Sequence, residues 1–361
     1  MFERRLYYHI DWAMLVAIGV LCVIGLTMVY GTTEGQTHLY TMQVYSMLLG
    51  VVAFVVCLSV DYRVLADRSH WIYVVLLALL VYVMFFGEVR GGSRRWIDLQ
   101  WFSLQPSEFA KAVVALMLAT YFGEKRLGRM TRTDLLIGGA ITLLPLLIIA
   151  RQPDLGTAAT LVPVFLAVVY LAGMPLRVFG IIGLACVLMA PVAWRFVLED
   201  YQKERVSVFL DPSQDAKGAG YQQIQARITV GSGGFWGKGF SKGTQGQLRF
   251  LPVVHNDFIF SVLAEEHGFA GVMVTLGLYL FVIFRGIASA RLAKDRLGAY
   301  LVLGVLAAFG FQVIYNITMS AGLVPVKGLT LPLVSYGGSS MVATLAGFGL
   351  IFNVRMRRFT N

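Results

Sequence analysis

Apolar residues along this chain come in long unbroken runs, not in the alternating rhythm of a half-buried strand or the striped rhythm of a surface helix. Ten runs stand out, at about 12–31, 43–60, 71–87, 106–123, 135–151, 156–173, 177–196, 258–284, 298–322 and 338–354. Each is near the ~20 residues that a helix needs to cross the hydrocarbon core of a bilayer. A lipid-embedded chain must satisfy every backbone group internally, and runs of this length do so as helices. The expected fold is therefore all-α: a polytopic membrane protein, a bundle of ten transmembrane helices forming one integral-membrane domain over 1–361. One long extracytoplasmic loop, about 197–256, is expected between helices seven and eight. The first run follows Arg4, Arg5 and Asp11, and "MVYGTTEGQ" behind it offers a poor small-residue cleavage site, so it reads as a retained helix.

Composition agrees. Of 361 residues, 57% are hydrophobic and 14% charged, where a soluble chain carries roughly a quarter charged. The net charge of +10 would suggest nucleic acid, but the placement of the charges gives it another meaning. One set of helix ends carries Arg4, Arg5, Arg63, Arg68, Lys125, Arg126, Arg129, Arg132, Arg177, Arg285, Arg291, Lys294, Arg296, Arg355, Arg357 and Arg358. The opposite short loops carry only Arg90, Arg94, Arg95, Arg151 and Lys327. The basic excess marks a cytoplasmic face on which both termini lie, and its partners are anionic lipid headgroups.

Against this background a few polar residues are out of place. "FSLQPSEFAKAVVALMLATYF", from Phe102, puts Glu108 and Lys111 three apart in the first turn of a membrane helix, hence on one face. Asp154 in "RQPDLGT", Asp257 in "HNDFIFSVLAEEHGF" and the turn "NITMSAGLVPVKGLTLPLVSYGGSS" fall at the same outer depth in the expected topology. Ionisable groups inside membrane helices are rare, cost about 2.5–3.5 kcal/mol each, and mark function.

Each has a plainer reading beside the functional one. Glu108 and Lys111 make a neutral pair that holds helices together. Asp154 and Asp257 are of the residue type that caps helices, Pro106 and Ser107 are ordinary helix starters, and Arg94, Arg95 and Trp96 suit an interfacial belt. Glu265 and Glu266, two turns into the eighth run, point to a polar cavity or an interior network. Cys22, Cys57 and Cys186 lie inside apolar runs and read as small fillers. Histidines 9, 38, 70, 255 and 267 show no metal-binding spacing. "GSGGFWGKG" lacks the strand, the helix and the GK[ST] ending of a phosphate loop and reads as a bent surface segment.

At this point a resemblance becomes visible. "GLVPVKGLTLPLVSYGGSS", with Asn316 six residues ahead of its first glycine, resembles the signature of the SEDS family (shape, elongation, division and sporulation). "GGSRRWI", "QPSEFAK", "QPDLGT" and "DFIFSVLAEE" are similar to further family blocks in the expected order, and "GTQGQLRFLP" is similar to the RodA branch more than to the FtsW division branch. Asn256 stands where relatives usually carry Thr.

The resemblance implies a peptidoglycan glycosyltransferase that polymerises lipid II on the outer face of the bacterial cytoplasmic membrane. It implies a class B penicillin-binding protein as partner and a divalent cation, Mg or Mn, as cofactor. Joining α-linked lipid II into a β-linked glycan calls for one inverting displacement. That step needs a base for the acceptor hydroxyl and positive charge for the departing diphosphate. Asp257 is the expected base, with metal ligand or acceptor-positioning group as its other readings. Lys111 is the expected charge, with Glu108 orienting it. Arg94, Arg95 and Lys327 are candidates for phosphate contact and Asp154 for cavity structure. A lipid II flippase and a non-catalytic scaffold of the elongation machinery are the rival classes.

Overall fold

The computed structural model describes residues 9–33, 37–90, 93–99, 102–125, 131–196, 198–215, 218–243 and 255–359. Arg4, Arg5, Arg126 and Arg129, most of "GTQGQLRFLP", the two glycines of "GGSRRWI" and the side chains of Arg90 and Cys186 lie outside the described residues. In chain order the helices are α1 (Trp12–Thr32), α2 (Thr37–Ser59), a short α3 (Tyr62–Asp67) and α4 (Ser69–Phe86). Three short strands follow, β1 (Glu88–Arg90), β2 (Ser93–Asp98) and β3 (Ser103–Leu104). Then come α5 (Pro106–Gly123), α6 (Arg132–Arg151), α7 (Leu155–Leu171), α8 (Leu176–Phe196), α9 (Asp200–Leu210), α10 (Ala219–Ser232), α11 (Ile259–Arg291), α12 (Arg296–Ser320) and α13 (Gly338–Met356).

Every one of the ten apolar runs carries a helix. Eight of these helices are long and apolar enough to cross a membrane; α7, with 17 residues, is apolar but shorter, and α5 carries the Glu108–Lys111 pair. Large side chains such as Val51, Phe86, Leu147, Leu184 and Phe284 point outward, an arrangement stable in lipid and not in water.

Three features depart from a plain all-α expectation. The segment after α4 is a small antiparallel sheet in the order β1-β2-β3, with Arg90 opposite Ser93 and Ile97 opposite Leu104. The 197–256 stretch is not a simple loop, because α9 and α10 occupy part of it. Helix α11 is broken at Gly268, whose φ of 64° and ψ of −164° suit glycine alone. The break is covered by residues 234–239: Phe269 and Ala270 donate to the carbonyls of Gly234 and Phe235, and Lys238 and Gly239 donate to those of Glu265 and Glu266. The backbone groups freed by the break are thereby satisfied. The same stretch explains Glu265, which is buried and accepts from Lys238 Nζ at 2.6 Å.

Helix starts follow local chemistry. Asp11 caps α1 through the amide of Met14, a Thr131–Asp134 capping box opens α6, Asp295 caps α12, and Pro106 sits at the first position of α5. The Asp11 carboxylate also binds Arg285 of α11 at 2.6 Å and Arg355 of α13 at 2.7 Å, tying three helices at one end. At the centre, α12 packs on α5, α7 and α11, and the α5 face Ala110, Val114, Ala115, Leu118 and Ala119 is fully enclosed. Close approach depends on small residues: Gly349 of α13 lies against the backbone of Phe54 in α2, and Gly304 of α12 against Ala115. Among the described residues of helix α8 none is buried.

Candidate active site

Helices α2, α5, α7 and α13 all begin at one end of the bundle, and a cavity of about 700 Å³ opens among their first turns. Its wall includes His38 and Met42 of α2, Arg95, Trp96 and Asp98 of β2, Gln105 and Glu108 at the start of α5, and Asp154 and Thr157 at the start of α7. The remaining wall comes from Asn256 and Asp257 ahead of α11 and from the turn between α12 and α13, Gly328 to Ser340. Residues 37–42, polar enough to read as loop in the sequence, form the first turns of α2, where His38, Leu39 and Met42 rim the cavity. Helix N-termini carry partial positive charge, so a ring of them suits an anion. The α13 terminus, with Gly337 at its cap position, has no side-chain cap.

The turn that forms the floor is stitched to four elements. Gln43 of α2, fully buried, donates to the Ser335 carbonyl and accepts from the Gly337 amide. Ser339 accepts from the Gln105 amide at 2.8 Å and donates to the Ser103 carbonyl at 2.7 Å. The Tyr336 amide donates to the His255 carbonyl, and Asn316 Nδ2 of α12 donates to the carbonyls of Leu329 and Asp257.

Three of the acidic residues singled out in the sequence, Glu108, Asp154 and Asp257, line this one cavity, and Arg95 joins them. Asp257 is partly exposed to the cavity, and its carboxylate lies against the backbone at Gly328, where an added methyl would sit 3.5 Å from Oδ2. It does not cap α11, whose cap position is Phe258. Loss of solvation pushes Asp257 up to about 7 from the ordinary 3.8, against the opposing pull of Arg205 on α9. Asp154 does cap α7, accepting from the Thr157 amide at 3.1 Å; its other oxygen accepts from Gln105 at 3.0 Å. Burial raises its pKa while Arg95, 3.9 Å away, and the cap bond lower it.

The cations are placed differently from one another. Lys111 donates to Glu108 at 2.7 Å and to Gln312 Oε1 of α12 at 2.9 Å, so it stands behind Glu108 and outside the large cavity. A second cavity of about 30 Å³ lies there between α5, α12 and α13, with Glu108 common to both. Arg95 donates to the carbonyls of Gln152 and Pro153 at the end of α6 and so caps that helix while lining the site. Arg94 turns away to the Phe85 carbonyl at the end of α4. Lys327 lies outside the cavity wall, and burial and Arg205 both lower its pKa. Sequence reasoning does not single out Gln43, Gln312, Ser339 or Arg205: the first three are uncharged polar residues in apolar helices and leave little trace in hydropathy, and Arg205 is one of several charges on the polar helix α9.

No three His, Cys, Asp or Glu side chains come together as a ready metal cage among the described residues. The donor set suits instead a hydrated divalent cation held by one carboxylate and a substrate phosphate. Glu108 is committed to Lys111 and Asp154 to its cap, whereas the Asp257 carboxylate faces the cavity.

A multi-pass membrane bundle with an acid-lined cavity at one end defines the class: a polytopic protein with a polar site built at its helix starts. The chain matches the FtsW/RodA/SpoVE family, described as "Cell cycle protein", over residues 5–359, and it belongs to that family. It is 37% identical to peptidoglycan glycosyltransferase MrdB of Escherichia coli K12 over 97% of this chain and 94% of that one. It is 31% identical to peptidoglycan glycosyltransferase RodA of Treponema pallidum over 96% and 98%. Among solved structures it resembles a chain of a peptidoglycan synthase complex in polymerisation and crosslinking, with TM-score 0.86, 32% identity and coverage of 98% and 99%. It also resembles the rod shape determining protein RodA of Thermus thermophilus, with TM-score 0.74, 28% identity and 98% coverage of both chains.

Proposed function

We propose that this chain is a peptidoglycan glycosyltransferase of the RodA type that polymerises lipid II for cell elongation, with Asp257 as the base. The observation that carries the reading is the single cavity of about 700 Å³ on which Asp257, Glu108, Asp154 and Arg95 open together. A carboxylate near neutral pKa is matched to taking a proton from a sugar hydroxyl at physiological pH. The bond from the acceptor oxygen to the anomeric carbon forms as the bond to the diphosphate breaks. The hydroxyl proton passes to Asp257 and the electron pair leaves with the diphosphate, which needs no added acid.

The leaving diphosphate finds positive charge in the helix starts, in the uncapped backbone around Gly337 and in Arg95. Lys111 contributes through Glu108: it neutralises that carboxylate on the cavity wall and keeps it from repelling the phosphates. Arg205 supplies further positive charge on the Asp257 side. Asp257 is also the residue that would hold a divalent cation, which when bound neutralises diphosphate charge.

In this reading ten helices cross the bacterial cytoplasmic membrane, both termini are cytoplasmic and the cavity faces outward. The segment carrying α9 and α10 then lies outside, and the polyprenyl tail rests in lipid along the bundle. A class B penicillin-binding protein is the partner that cross-links the product. The solved synthase complex, with its joint polymerisation and crosslinking, supports that pairing.

The test is polymerisation of purified lipid II by the co-purified pair, wild type against Asp257→Ala, with and without chelator. Product from the wild type alone, reduced by chelator, is expected. Full synthesis by Asp257→Ala would overturn the assignment. Translocation of labelled lipid II in liposomes without synthesis would favour a flippase, and complex assembly with neither activity a scaffold.

A further inference from the structure

Asp257 is held through its backbone. Its carbonyl precedes the first turn of α11 and takes no part in that helix. It accepts instead from Asn316 Nδ2 at 3.0 Å, across 59 residues of sequence. The same nitrogen donates to the Leu329 carbonyl at 2.7 Å, in the turn where Gly328 faces the Asp257 carboxylate. Both hydrogens of one amide are therefore spent on two segments that meet at the site. Asn316 is fully buried near the C-terminal end of the apolar helix α12, where a polar side chain is costly without such partners. On the other side, Tyr336 of that turn donates to His255, two residues ahead of Asp257, and Phe258 is buried against Ala226, Val262 and Met319.

We propose that Asn316 is the positioning residue for Asp257: it clamps the aspartate's backbone to the 327–329 turn and so sets where the carboxylate stands in the cavity. The proposal rests on Asp257 being the base. Displacing a reacting group by about 1 Å costs on the order of a hundredfold in rate, so the clamp is read in turnover and not in substrate affinity.

The test compares Asn316→Leu, which removes both bonds at similar volume, Asn316→Ser, which keeps one hydroxyl donor, and Ser320→Ala as a control one turn along α12. Polymerisation of purified lipid II by the full chain with its co-purified partner gives kcat and KM. Hydrogen exchange over 255–258 reports the clamp directly. The expected result for Asn316→Leu is a kcat lower by about 10- to 100-fold, a KM within about threefold, and faster exchange over 255–258 with α13 unchanged. Asn316→Ser falls between Asn316→Leu and wild type, and it decides the matter if the leucine variant does not fold. Ser320→Ala behaves as wild type. Wild-type kcat and exchange in a folded Asn316 variant, or a change confined to KM, would overturn the proposal. Asp257→Asn is run alongside: if it polymerises normally, the base assignment itself fails, whereas if it is inactive while Asn316 variants are normal, only the clamp fails.

Discussion

Exchanging Asp257 for asparagine keeps the shape of the side chain and removes its charge, and the consequence for stability is calculable. In the folded protein burial moves this carboxyl from 3.8 to about 7. Between those two values the unfolded chain has already lost its proton while the folded protein keeps it. Raising the pH therefore lowers stability across that window, and above about 7 the full cost is present. Roughly three pH units at 1.36 kcal/mol each set an upper bound of about 4 kcal/mol. Because the group touches a hydrated cavity, about 2–4 kcal/mol is the working range.

Asp257→Asn escapes this cost. It is expected to be inactive yet more stable than wild type at pH 8, by roughly 3–5 °C in thermal melting of the detergent-purified protein. The advantage shrinks as the pH falls and vanishes near pH 4. An active protein that pays for a strained base and an inactive one that is relieved of it is the signature sought. A variant no more stable than wild type at pH 8, or one whose advantage grows toward acid, would refute the reasoning.

Other outcomes follow from the same geometry. Polymerisation by the wild type should fall about tenfold per pH unit below pH 7, as Asp257 takes up a proton; a flat profile from pH 5 to 8 would remove it as the base. Lys111→Met should abolish polymerisation and destabilise the protein by about 3–5 kcal/mol, because Glu108 is left charged and buried; Glu108→Gln added to it removes that charge and should restore the melting temperature and much of the polymerisation together. Gly268→Ala should cost more than about 3 kcal/mol in thermal stability, since its φ is positive and the new methyl would stand 2.3 Å from the Gly237 nitrogen.

The helices were readable in the sequence because hydropathy over about 20 residues is a strong signal that tertiary context seldom reverses. The meeting of Glu108, Asp154 and Asp257 was readable for a related reason: charge in a membrane helix is costly, and a shared depth implies a shared site. The rest depended on contacts between distant segments. Whether Lys111 faces the large cavity or its back wall is decided by where Gln312 of α12 stands, and one sequence position says nothing of that. Arg94 and Arg95 are neighbours on a strand, so they point to opposite faces, one to the end of α4 and the other to the end of α6. The strand itself was hidden by its Arg and Trp content, which reads equally well as an interfacial loop. Helices α9 and α10 lack an apolar run long enough to register, and the break at Gly268 falls inside an otherwise uninterrupted one.

That break has a mechanical meaning. A straight helix of 33 residues would reach about 50 Å, far beyond the ~30 Å of bilayer hydrocarbon, whereas the piece after Gly268 is close to membrane thickness. The shorter piece, Ile259–His267, is thus a short arm with Asp257 just beyond its tip, buried along Ile259–Glu266 and bonded to residues 234–239 at the break. Because the break separates this arm from the membrane crossing that follows, the direction in which Asp257 is offered to the cavity is set by packing at the site and not by the tilt of that crossing.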